Sequence, residues 1–208
     1  MSASEEKYFY EPRCGHGLAH DPFNSIVAPR PIGWISTHDG AGHRNLAPYS
    51  FFNAFNYVPP IIGFASIGHK DTVRNAERTG EFAWNLVTRA LAERMNATSA
   101  TVAPEVDEFT LSGLTPVASA KIGAPRVAES PVNFECRVTQ IVQLRNLAGA
   151  AVETWLTLGE IVAVHIERRF LAGGFYVTAA AQPVVRGGGP ADYFTIGADA
   201  LFKMDRPK

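Results

Sequence analysis

Between Val132 and Thr139 the chain alternates without a break. Val132, Phe134, Cys136 and Val138 are apolar, and Asn133, Glu135, Arg137 and Thr139 are polar. That period of two predicts a strand with one buried face. Trp155 to Ile166 is apolar on both parities, so it reads as a longer barrel strand with the core on one side and an interface on the other. Gly159 within it predicts a bulge or a close backbone approach. Glu160 shares the parity of Leu158 and Val162, which calls for a paired carboxylate or a bulge that turns it outward. Further strands are expected over Ile32 to Ser36, Ile61 to Ile67 and Phe82 to Val87, with a short end segment at Tyr193 to Ile196.

The connections carry their own signals. Asp39-Gly40 marks a hairpin turn leading into a strand from Leu46 to Phe52, which Pro48 should bend. Pro29 and Pro31 bracket Arg30 and force it to be extended. A helix is expected from Thr72 to Thr79, capped by Asp71 and closed by Gly80 in a left-handed turn. A helical turn at Leu91 to Met95 and a short helix at Val106 to Leu111, with Phe109 and Leu111 inward, complete the pattern. Residues 1–24, spotted with Tyr8, Phe9 and Tyr10, read as an arm that packs on something. Residues 25–208 read as one mainly β domain with small inserted helices.

Composition narrows the function. The 208 residues are 46% hydrophobic and 19% charged, enough for one packed core without disordered tracts. A net charge of −1, with no Lys/Arg run beyond Arg168-Arg169, removes the electrostatic basis for nucleic-acid binding. No apolar run approaches the ~20 residues of a membrane helix. No basic start followed by an apolar stretch opens the chain, so a soluble cytoplasmic protein is expected. Cys14 and Cys136 are expected as free thiols, too few for an oxidised framework.

Candidate chemistry concentrates between Pro29 and Asn75. In PRPIGWIST and NLAPYSFFN, Pro31, Gly33, Ala47 and Pro48 keep backbone groups accessible, and Ser36, Thr37, Asn45 and Ser50 add donors and acceptors. Such a set suits a ligand with carbonyl oxygens, ring nitrogens and a broad apolar face. A proline-rich turn followed by ordinary strands fits the same residues. In HKDTVRN a helix start with Lys70, Thr72 and Arg74 suits phosphate, with His69 on the rim. Asp71 opposes an anion unless it turns inward to cap the helix, and a plain capped helix remains open. Arg186, in PVVRGGG, is a further candidate cation.

Other chemistry finds little support. Cys14, His16 and His20 lack a second ligand pair, so no metal site is expected. There is no triphosphate loop, no strand-linked GxGxxG and no nucleophile elbow in register. Glu135 and Glu160 have no evident partner for acid–base work, and His165 reads as a hydrogen-bonded core or interface residue.

The segments PRPIGWIST, NLAPYSFFNAF, KDTVRNAERTGEF, MNATSA and PRVAESPVNFEC, in that order between Val27 and Tyr193, resemble the flavin-reductase-like family of FMN-binding split β-barrels. The resemblance implies a mainly β, Greek-key barrel of the six-stranded type with short helices, and FMN as cofactor. It implies that the ring and ribityl chain lie on the first two segments. In the first these are Arg30, Pro31, Trp34, Ser36 and Thr37. In the second they are Asn45, Ala47, Pro48, Tyr49, Ser50 and Phe51. The phosphate would lie near Lys70, Asp71 and Thr72. Arg186 with its glycines resembles a late-chain family element, although the extra glycine and proline shift Tyr193. It further implies hydride transfer from NAD(P)H to flavin N5, onward delivery to an acceptor, and a homodimer with flavin sites near the subunit boundary. Two other readings stay open: an FMN electron carrier without NAD(P)H activity, and a barrel that binds a haem, pigment or protein instead.

Overall fold

The structure is a computed structural model that describes residues 7–207. The first six residues of the expected arm lie outside the described residues. Within the arm Tyr8 and Phe9 are exposed, and Tyr8 donates its hydroxyl to the His16 carbonyl at 3.0 Å. A single-turn helix, α1 (Phe23–Ile26), leads into β1 (Arg30–Pro31), β2 (Gly33–His38), β3 (Arg44–Tyr49), β4 (Phe52–Asn56) and β5 (Ile61–Ile67). Then come α2 (Asp71–Thr79), β6 (Glu81–Asn85), α3 (Ala92–Ala97) and α4 (Glu108–Leu111). A small hairpin, β7 (Pro116–Val117) and β8 (Arg126–Val127), precedes the long pair β9 (Val132–Arg145) and β10 (Ala151–Ile166). The chain closes with β11 (Leu171–Ala172), β12 (Phe175–Tyr176), β13 (Val184–Arg186) and β14 (Tyr193–Thr195).

Seven of these strands form one curled sheet in the order β3-β2-β6-β9-β10-β5-β4. Every pairing in it is antiparallel. Ile35, Phe64, Val73, Phe82 and Cys136 fill its concave side, with Phe64 edge-on to Phe82. A second cluster, built on Trp34, Leu46, Met95 and Phe109, lies under α3 and α4. The β2–β3 hairpin and α2 form as expected, with Gly80 left-handed at φ 71°. β10 shifts register between Leu158 and Gly159, and a Cβ on Gly159 would meet the Phe82 ring at 2.5 Å. Both the bulge and the close approach are therefore present.

Four expectations are corrected. The chain bends at Ser50–Phe51 and not at Pro48, because β3 is an edge strand where a missing amide costs no ladder bond. β9 is not buried on one face only: Asn133 and Glu135 are buried as well. The loop before β8 lies over that face, and Glu135 accepts the Ala120 and Lys121 amides at 2.7 and 2.6 Å. Glu135 thus has partners, including His165 at 2.6 Å. Leu111, at the last position of α4, is 49% exposed and does not pack inward, whereas Phe109 does.

Candidate functional site

The start of α2 and the edge strand β3 meet at an angle that leaves a cavity of about 570 Å³. Asn45, Ala47, Pro48 and Tyr49 supply one wall. His69, Lys70, Asp71, Thr72 and Arg74 form the second, and residues 98–102 with Pro104 and Glu108 close the third side. Its size is that of a site for a medium-sized organic ligand.

The α2 end is built for an anion. Lys70 occupies the N-cap position and no side chain caps the helix. The first-turn amides and the positive end of the helix dipole therefore face outward without a protein carboxylate upon them. This corrects the expected role of Asp71. Its carboxylate is drawn sideways into a pair with Arg74, three residues on, instead of turning back onto the amides. Among the described residues Lys70 forms no ion pair, so its ammonium is the free cation of this wall.

The β3 wall is held to α2 by side chains. Asn45 donates through Nδ2 to Thr72 Oγ1 at 2.8 Å and to Thr37 Oγ1 at 3.3 Å. Thr37 also receives Asn75 of α2 at 3.1 Å. Burial pushes the Tyr49 phenol up, with the Thr72 and Ser66 hydroxyls opposing it. The ring packs on Phe64 at 4.8 Å between centroids. The third wall rests on Trp34, whose indole N–H donates to Thr98 Oγ1 at 3.0 Å. Glu108 is 7% exposed and accepts the Leu46 amide at 3.1 Å. Burial, then the charges of Asp71 and Asp107, raise its carboxyl above the usual range.

Of the residues that the sequence singles out, Asn45, Ala47, Pro48, Tyr49, Lys70, Asp71 and Thr72 come together in this cavity. Trp34, Ser36 and Thr37 are fully buried behind it. Ser36 Oγ donates to the Pro125 carbonyl at 2.5 Å, so its hydroxyl is used internally. Ser50 is half-buried at the bend just beyond Tyr49. Arg30, Pro31 and Phe51 border a separate cleft of about 460 Å³ on the far side of that bend.

Arg30 is 8% exposed and holds the arm: its guanidinium donates to the carbonyls of Asn24, Val27 and Gly187. Burial and then the neighbouring Arg186 lower its pKa. Arg186, paired with Arg30 across β1 and β13, donates to the carbonyls of Asp192 and Pro190 and lies 4.8 Å from the Tyr193 ring centroid. Residue-type reasoning missed Glu108 and the wall at 98–102. Only the MNATSA segment pointed toward that wall, and nothing local to Glu108 marks it. No group of three or more His, Cys, Asp or Glu side chains among the described residues could hold a metal ion.

A family model described as flavin reductase like domain matches residues 26–182. The chain belongs to this family. Among the family's relatives, an uncharacterised protein of Halalkalibacterium halodurans is 34% identical over 187 residues, which is 87% of each chain. Nitrilotriacetate monooxygenase component B of Bacillus cereus superposes with a TM-score of 0.85 at 26% identity, over 97% of this chain and 100% of the other. A Shewanella frigidimarina protein with a split barrel domain gives 0.78 at 26% identity, over 89% and 90% of the two chains. The fold is the split barrel of flavin reductases, and the cavity lies at the outer edge of its curled sheet.

Proposed function

We propose that this chain is an FMN-dependent oxidoreductase that takes hydride from NAD(P)H and passes the electrons to a separate acceptor. The observation that carries this reading is the free Lys70 at an uncapped helix start, opening into the cavity whose opposite wall is the edge strand Ala47–Tyr49. The donor set fits a flavin mononucleotide. Lys70 and the first amides of α2 suit a terminal phosphate. The edge strand leaves polar backbone groups free for ring heteroatoms, and Pro48 removes one amide there. In the first turn of α2 Asp71 is an adverse charge, and Arg74 neutralises it.

FMN, when bound, supplies the redox chemistry. The protein's part is binding and orientation. Lys70 and the α2 amides would hold the phosphate, and Ala47, Pro48 and Tyr49 would orient the ring. Thr72, fixed by Asn45, keeps the two walls at a constant separation. No side chain is required as acid or base. The name of the Bacillus cereus neighbour, one component of a monooxygenase, supports delivery of electrons to a second protein. A homodimer is part of the same reading. On β10, Val162, Val164 and Ile166 stand 37%, 51% and 37% exposed, an apolar row suited to a second copy.

The test is the visible spectrum of the isolated protein, identification of the chromophore released by heat, and anaerobic mixing with NADH and with NADPH. A flavin spectrum, released FMN and bleaching by a reduced nicotinamide are expected. Colourless protein that leaves added FMN fluorescence unquenched contradicts flavin binding. Bound FMN that neither nucleotide bleaches makes the protein an electron carrier.

A further inference from the structure

Glu108 lines the cavity into which the proposed phosphate site at the start of α2 opens. Its carboxyl is almost withdrawn from solvent. The Leu46 amide fixes it in place from β3. The charged and titratable groups that line the cavity with it are Lys70 at the N-cap of α2, Asp71 and Arg74 within α2, His69 in the turn before it, and Tyr49 of β3. On its own helix there is Asp107, already held by Arg44 of β3 at 2.6 Å. Asp71 is likewise paired with Arg74. Among the described residues Glu108 itself has no cation within ion-pair distance.

An ionised carboxylate in that position repels a phosphate dianion at short range and in a partly desolvated setting. Its protonated form removes the repulsion and offers an O–H donor to the same anion. Burial and the nearby carboxylates already favour the protonated form. We propose that Glu108 enters the complex as a carboxylic acid, so that FMN phosphate and one proton bind together. The proton comes from solvent, stays shared between Glu108 and the phosphate, and returns when FMN leaves. Binding is then linked to pH through this one residue. The inference rests on placing the FMN phosphate at the start of α2.

Calorimetric titration of the flavin-free protein with FMN and with riboflavin, in two buffers of different ionisation enthalpy, counts the protons exchanged. Near pH 8 the wild type should take up close to one proton per FMN and none per riboflavin. Above the carboxyl's own titration FMN affinity should fall about tenfold per pH unit more steeply than that of Glu108→Gln. The variant should bind FMN without proton uptake, and its circular dichroism should match the wild type. FMN binding without proton exchange overturns the inference. So does undiminished uptake in the variant, because the phosphate monoester, with its own pKa of about 6, would then be the group that titrates. Riboflavin binding as tightly as FMN, or neither binding, is a different result: it removes the phosphate from α2 and the functional reading with it.

Discussion

The Asn45 side-chain amide lies 2.8 Å from the Thr72 hydroxyl, and this bond links the two walls of the cavity. Both residues are buried, so the bond is shielded from water and sets the distance between the strand Arg44–Tyr49 and the helix Asp71–Thr79. Asn45 is placed to build the site at least as much as to touch what fills it.

Asn45→Ala removes this bond and the one to Thr37. The expected cost is about 1–3 kcal/mol of stability, because two buried hydroxyls lose a donor. Flavin affinity should fall along with it. Urea melts together with FMN titration check this, and a variant as stable as wild type would show that the joint does not hold the walls.

Glu135 and His165 form the second relationship that shapes the sheet. Burial raises the Glu135 carboxyl, but the Ala120 amide, His165 and the Lys121 amide together outweigh it and hold the pKa below the ordinary value. A depressed carboxyl stabilises the fold above its unfolded pKa, and the contribution is lost as pH falls through the folded value. Glu135→Ala should cost about 3–5 kcal/mol at neutral pH and much less in acid below the ordinary glutamate range. Denaturant melts across that range decide it. An equal loss at both ends would mean that packing, not charge, is what Glu135 supplies.

Glu108 carries the opposite sign. With its pKa raised in the folded state, stability falls as pH rises through the region above the ordinary glutamate value. Glu108→Gln should therefore gain on the wild type as pH rises and match it in acid. Melting temperatures at about pH 4 and about pH 8 measure the difference. A constant offset at the two values would contradict a titrating Glu108.

Gly159→Ala tests the close approach of the longest strand. Its methyl would sit 2.5 Å from the Phe82 ring, a contact that neither partner can accept without moving. A loss of about 1–3 kcal/mol is expected, measured by thermal melting. No loss would mean that Phe82 has free room to turn.

What was legible in the chain was local. The Asp39-Gly40 turn, the helix closed by Gly80 and the bulge at Gly159 each depend on one or two residues and their neighbours, and each is present. Pro48 misled because its effect depends on whether the strand is at an edge, which sequence does not reveal. Glu135 seemed unpartnered because its donors come from 14 and 15 residues upstream and 30 downstream. Glu108 was invisible for the same reason: it enters the cavity from a helix 62 residues beyond the strand that it touches. Arg30 and Arg186 read as ligand cations; in the structure Arg30 also donates to three carbonyls and Arg186 to two, contacts that tie down the arm and the glycine loop and that sequence does not reveal.

Quenching of FMN and of riboflavin fluorescence, by the wild type and by Lys70→Ala, tests whether Lys70 holds the phosphate. The two ligands differ only in the phosphate, so their affinity ratio isolates the start of the helix. The wild type should prefer FMN by at least about tenfold, as a charge-assisted contact implies, and Lys70→Ala should lose most of that preference while riboflavin affinity stays unchanged. Equal losses for both ligands, or no preference in the wild type, would contradict a phosphate held by Lys70.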